Sequence, residues 1–213
     1  MDQNYEIRAD EHGLGKVLIV RSPWRDEYKA LLEDMEIPAL RLSQSMGFAD
    51  TDVSFIEELN CLRGLEIYSW DVKDVTPITR MNNLEVVGLQ TTSRKKIDLS
   101  CLNKLRVALL TYHPGLASVF KVSSLEYLNL GPYPYQDLSQ LNDLKHLKSI
   151  YLTSRKLTSL EGIEQLTELE LLDLYNCPNL QSLKGVEECS RLSKIKVERC
   201  RHIHAKRINT HNK

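Results

Sequence analysis

The sequence has no apolar run approaching the roughly 18 residues needed to span a bilayer, and its start, MDQNYEIRADEHGLG, is polar. Neither a signal peptide nor a membrane anchor is expected, and the protein is expected to be cytoplasmic, with no membrane partner. Charge of one sign is also missing: 28 Lys and Arg stand against 29 Asp and Glu, a formal net charge of −1. Such a balance gives no global field that would recruit nucleic acid. The five cysteines, Cys61, Cys101, Cys177, Cys189 and Cys200, are odd in number and form no CxxC pair, which leaves a disulfide framework or a zinc knuckle unsupported.

Catalytic signatures are missing as well. The chain has no GxGxxG, P-loop, HExxH or GxSxG motif, so nucleotide, zinc-protease and hydrolase chemistry lack their usual residues. The fragment GLGK (Gly13 to Lys16) has the flavour of a phosphate loop, but it precedes an apparent strand instead of following one. His113 stands beside Tyr112 with no nucleophile placed next to it. The expectation is a protein that is not an enzyme and takes no cofactor.

What the chain does have is self-similarity. An LxxLxL pattern recurs as LEYLNL from Leu125, LKSIYL from Leu147, LELLDL from Leu169 and LSKIKV from Leu192. Looser copies precede it: IPALRL from Ile37, LRGLEI from Leu62, LEVVGL from Leu84 and LRVALL from Leu105. The anchors at 37, 62, 84, 105, 125, 147, 169 and 192 recur about every 22 residues, with variations the size of a loop. Upstream of each anchor the apolar residues step by three, as in Leu157, Leu160, Ile163 and Leu166 before Leu169. A step of three matches neither a strand nor an α-helix and suits tight 3₁₀-like turns, whereas the LxL that follows alternates as a strand does. Each copy therefore reads as one turn of a solenoid, unable to bury its leucines without its neighbours.

The expected fold is an α/β solenoid: a right-handed coil with a concave parallel sheet of about eight short strands and a convex side of 3₁₀ and irregular turns. Residues 1–36 read as an N-terminal cap of one strand (KVLIV) and one helix, with Ser22 as N-cap and Pro23 at the first helical position. The repeats occupy residues 37–203, and 204–213 form a polar, basic tail.

On these residues the sequence resembles the leucine-rich repeat family, in its short 22-residue form seen in bacterial internalin-like and phosphatase-regulator-like proteins. KLTSLEGIEQLTELELLDLYNC is the closest copy, and the resemblance covers about Ile37 to Ile203. It implies protein binding in general. The family places an asparagine eight residues after each anchor; here that position holds Ser45, Trp70, Thr92, His113, Tyr133, Arg155, Cys177 and Cys200. Irregular corners are expected, above all where Trp, Tyr or Arg would have to fit a tight inward turn.

Strand residues at anchor plus two, four and six point away from the leucine core. In the four middle turns they are apolar or uncharged, with charges confined to the end turns. An uncharged, tyrosine-bearing centre with a charged rim fits a protein contact surface, although aromatics on a sheet also pack against cross-strand neighbours. The expected partner-binding residues are Glu66, Tyr68, Trp70, Val107, Leu109, Tyr112, Tyr127, Asn129, Tyr133, Tyr151, Asp173 and Tyr175. The function expected is non-catalytic recognition of a partner protein by a monomer or a hetero-complex, possible forms being a stoichiometric inhibitor or immunity-type protein, or a regulatory subunit targeting an enzyme such as a phosphatase.

Two alternatives stand beside it. Cys177, Cys200, His202 and His204 could converge as metal ligands, although cysteine also substitutes for the ladder asparagine in leucine-rich repeats of the kind this chain resembles. Lys194, Lys196, Arg199, Arg201, Lys206 and Arg207 form a basic cluster that could meet nucleic acid or simply be solvated.

Overall fold

The leucines at steps of three generate their own backbone ladder. In a computed structural model that describes residues 4–203, Ile56 N–H donates to Val53 O at 3.1 Å, Leu59 to Ile56 O at 3.0 Å and Leu62 to Leu59 O at 3.2 Å. The same chain of bonds links Leu160, Ile163, Leu166 and Leu169 at 3.0 to 3.1 Å. Each apolar residue thus bonds to the apolar residue three before it, so satisfying the backbone and pointing the side chains inward are one act. These residues are buried, each leucine contributing about 2 kcal/mol from lost apolar surface.

The described chain forms two compact units: residues up to Val107 with His113–Ser118, and Ala108–Tyr112 with the residues from Val119 onward. In both, strand order follows chain order. The first unit holds β1 (Tyr5–Ala9), β2 (Lys16–Val20), β3 (Ala39–Ser43), β4 (Gly64–Ser69) and β5 (Val86–Thr91). β1 and β2 form an antiparallel hairpin, and β2 through β5 pair in parallel, with Val17 opposite Ala39, Ala39 opposite Gly64 and Gly64 opposite Val86. The second unit holds β6 (Val107–Thr111, all but its first residue), β7 (Tyr127–Gly131), β8 (Ser149–Thr153), β9 (Leu171–Tyr175) and β10 (Lys194–Glu198). There Tyr127 pairs with Ser149, Ser149 with Leu171 and Leu171 with Lys194, all in parallel register. No helix among the described residues is long and apolar enough to cross a membrane.

The N-terminal segment departs from expectation twice. A strand, β1, precedes KVLIV, and the helix α1 runs only over Asp26–Asp34, with Arg25 rather than Ser22 as its N-cap. Residues 22 to 25 are committed elsewhere. Ser22 Oγ lies 2.5 Å from Tyr28 Oη and donates to Pro23 O at 2.8 Å, Trp24 N–H donates to Asp50 at 2.5 Å, and the Trp24 ring stacks on Phe55 with centroids 4.1 Å apart. These bonds hold the Ser-Pro segment in a bend and delay the helix by one turn. The expected tail, 204–213, lies outside the described residues.

The corners are irregular in a simple way. At anchor plus eight, His113, Tyr133, Cys177 and Cys200 turn inward and are buried, whereas Ser45, Trp70, Thr92 and Arg155 remain exposed. A nearby hydroxyl, Ser43, Ser69, Ser93 or Ser154, is buried at those corners instead. Ser154 Oγ donates to Tyr133 O at 2.8 Å and accepts the N–H groups of Lys156 and Leu157 at 3.0 Å. Tyr133, expected to be too large for an inward corner, fits: it is 1% exposed, its hydroxyl donates to Asp137 O at 2.7 Å, and its ring meets Phe120 and Tyr135 edge-on.

Candidate protein-docking face

The outward strand residues form three rows, and in the first unit the nearest row is closed. Ala39, Gly64, Val86 and Val107, all at anchor plus two, are buried. The hairpin tip between β1 and β2 lies over them: a Cβ built on Gly64 would stand 2.6 Å from Leu14 Cδ1, and Leu14 is itself buried. Asp10 shapes this tip, its carboxylate accepting the N–H groups of His12 at 2.8 Å and Leu14 at 2.9 Å while its own N–H donates to Gly15 O at 2.8 Å. Arg106 Nη2 then donates to His12 O at 2.7 Å, and its Nε pairs with Glu85 at 3.2 Å; Glu85 also receives Arg63 Nε at 2.6 Å.

The next row of that unit is a charge cluster. Arg41 donates to both carboxylate oxygens of Glu66, and Tyr68 also hydrogen-bonds Glu66. Burial, with the Glu66 charge beside it, pushes the Tyr68 phenol far above its ordinary range. Gly88 makes room for both side chains, since a Cβ there would lie 2.7 Å from Tyr68 Oη and 2.9 Å from Glu66 Cγ.

The second unit presents its rows openly. Tyr127 and Tyr151 stack with centroids 5.0 Å apart and planes inclined by 29°, both half-buried. They form a diagonal cross-strand pair, because Tyr151 stands opposite Asn129 in the register. Asn129 is exposed, and Asp173, opposite Tyr151, pairs with Lys196 Nζ at 3.5 Å. Tyr175 is exposed and carries the Arg199 guanidinium 5.1 Å above its ring. Such cation–π contacts are worth about 0.5–1 kcal/mol at an exposed site. Arg199 reaches that ring from a left-handed backbone, φ 56°, and Asn176, one turn earlier at the same repeat position, has φ 54°. Asparagine tolerates this conformation, while arginine is held there at a cost of about 1 kcal/mol or more.

Along one rim, Phe120 gathers Tyr112, Tyr133 and Tyr135 at centroid separations of 5.9, 6.2 and 5.5 Å. Burial and a hydrogen bond to Tyr135 push the Tyr112 phenol up to about 12.

The expected contact residues therefore divide. Trp70, Asn129 and Tyr175 are exposed, and Tyr68, Leu109, Tyr112, Tyr127, Tyr151 and Asp173 are half-buried. Glu66, Val107 and Tyr133 are buried and offer a partner nothing: Glu66 is gripped by Arg41, Val107 lies in the row closed on the first unit, and Tyr133 is a corner residue. Sequence reasoning missed Leu14 and Arg106, which close the first unit's face. The available signal was an apolar residue alone in a polar, glycine-flanked loop.

Among the described residues the cysteine and histidine cluster brings only Cys177 and Cys200 together. Cys177 and Cys200 are buried, with Sγ donating to backbone carbonyls, Tyr175 O at 3.7 Å and Glu198 O at 3.4 Å. Burial, with Cys200 adjacent, pushes the Cys177 thiol up to about 12. His202 is exposed, His204 lies outside the described residues, and among the described residues no three His, Cys, Asp or Glu side chains are grouped to hold a metal ion.

Comparison with solved structures agrees with this geometry. Internalin C2 of Listeria monocytogenes aligns at a TM-score of 0.57 and 22% identity, over 69% of this chain and 66% of that one. Internalin F of the same organism aligns at 0.56 and 22% identity, over 78% of this chain and 49% of that one. The chain thus spans about two thirds of one relative and half of the other. No family model matches the sequence, and no curated protein matches it. The fold is that of the leucine-rich-repeat proteins.

Proposed function

We propose that this chain is a recognition module that docks one partner protein on the open strand face of its second unit and performs no chemistry of its own. The observation that carries the reading is the Tyr127–Tyr151 stack, half-exposed between the exposed Asn129 and the Asp173–Lys196 pair. Two stiff aromatic rings already held in place lose little rotamer entropy on binding, and a centre without unpaired charge is cheap to desolvate. Tyr175, Leu109 and Tyr112 extend the surface. In the first unit the hairpin tip and the Arg41–Glu66 pair use up much of the corresponding face.

In its finer form the module is a stoichiometric inhibitor or immunity-type protein that neutralises its partner by covering a working surface. Rigid strands suit that role, since little of the binding energy is spent on ordering.

The test is capture from native lysate by the wild type and by Tyr127→Ala with Tyr151→Ala, followed by direct titration of the purified partner. The double variant is expected to lose the partner, weakening binding by about 100-fold or more if both rings are hot spots, with an unchanged circular dichroism spectrum. Wild-type affinity in that variant would move the interface off this face.

A further inference from the structure

At the last turns of the second unit, an open groove of about 720 Å³ is lined by Arg155, Asn176, Asn179, Arg199 and Arg201, with the buried Cys200 beside them. Arg155 comes from the corner after β8 and Arg199 and Arg201 from the corner after β10, with Asn176 and Asn179 on the corner between them, and all three arginines are exposed. None has a carboxylate within ion-pair distance among the described residues, although most of the first unit's arginines are paired. Asn179 Nδ2 donates to Arg155 O at 2.5 Å, tying the corner that carries Arg155 to the next turn. Arg199 sits in the left-handed conformation with its guanidinium over the Tyr175 ring. An ordinary solvated arginine needs neither constraint.

We propose that this groove receives an acidic segment of the partner protein, with the Arg155, Arg199 and Arg201 guanidiniums pairing two or three Asp or Glu carboxylates. Guanidinium forks match carboxylates in a bidentate way, and Asn176 can supply amide donors between them. The groove is continuous with the docking face, because Arg199 belongs to both: it lines the groove and caps Tyr175. A carboxylate-bearing segment fits better than nucleic acid. Among the described residues the groove's positive charge comes from the corners after β8 and β10, Asp173 and Glu198 stand close by on β9 and β10, and a phosphate backbone needs a longer basic track.

This inference rests on the docking-face reading for the identity of the occupant, and its test needs no partner. The purified full chain is titrated with a fluorescent, end-blocked oligoglutamate at low ionic strength, followed by anisotropy. Arg155→Gln with Arg201→Gln is compared with Lys121→Gln with Arg191→Gln, which removes the same charge from exposed positions outside the groove. The groove variant is expected to bind about tenfold more weakly than wild type, and the control to bind as wild type does. Equal losses in both variants, no loss in the groove variant, or no binding by the wild type overturns the proposal. Tighter binding of an oligothymidylate carrying the same charge overturns it in favour of nucleic acid. If oligoglutamate binds as expected while Tyr127→Ala with Tyr151→Ala leaves partner capture intact, only the docking-face reading fails.

Discussion

Arg41 holds Glu66 by both carboxylate oxygens, Nε to Oε2 and Nη2 to Oε1, each at 3.0 Å. The pair joins adjacent strands, Arg41 standing directly opposite Glu66 in the β3–β4 register. Glu66 is 3% exposed, and Tyr68 donates a hydrogen bond to the same carboxylate. Glu66→Ala is expected to destabilise the chain by about 3 kcal/mol, because it leaves a half-buried guanidinium unpaired. The double variant Arg41→Met with Glu66→Leu is expected to recover most of that loss. Urea denaturation of the three proteins checks both statements, and a double variant no more stable than Glu66→Ala would contradict them.

The five thiols separate by depth. Cys61 and Cys101 are exposed, whereas Cys177, Cys189 and Cys200 are buried. Burial pushes Cys177 up to about 12 and, with Glu164 nearby, Cys189 up to about 11. Iodoacetamide at mildly alkaline pH, read by peptide mass spectrometry, is expected to label Cys61 and Cys101 in the native protein and the other three only after denaturation. Added zinc is expected to leave the native labelling pattern unchanged.

His113 supplies a pH dependence. It is buried at its corner, its Nδ1 accepts the Gly115 N–H at 3.1 Å, and burial together with Arg94 lowers its pKa below the ordinary 6.5. A histidine lowered on folding binds its proton more readily in the unfolded chain, so its stabilising effect is complete above about 6.5 and is lost as pH falls below it. Denaturation midpoints are expected to drop between pH 7.5 and pH 5.5, and His113→Asn, which offers an uncharged amide at the same corner, is expected to flatten that drop. An identical slope in the variant would assign the dependence to other groups.

The repeating half of the fold could be read from the leucines alone. Steps of three and the LxL alternation each obey a backbone period, and the structure turns both into hydrogen bonds that can be named. The corners could not be read by position: where Arg155 stays outside, the buried Ser154 hydroxyl ties the turns together, and at Thr92 the exposed side chain itself donates to Trp70 O. The face was legible only in its second unit. Tyr127, Tyr151 and Asp173 lie where the alternation puts them, but Glu66 and Val107, which share that alternation, are withdrawn by contacts distant in sequence. Leu14 reaches Gly64 and Arg106 reaches His12, and no local pattern encodes either meeting. The helix start failed for the same reason, since Trp24 is claimed by Asp50 and Phe55.

The bond from Arg106 to His12 spans 94 residues, whereas most contacts in a solenoid join turns about 22 residues apart. Successive turns can therefore condense on one another as the chain emerges, each closing only a short loop. The hairpin tip has no such local route: its guanidinium anchor does not exist until the fourth turn has been made. Until then the buried row at Ala39, Gly64 and Val86 is left uncovered, an apolar surface open to solvent and to other chains. The hairpin, made before the turns it covers, is thus sealed only after them.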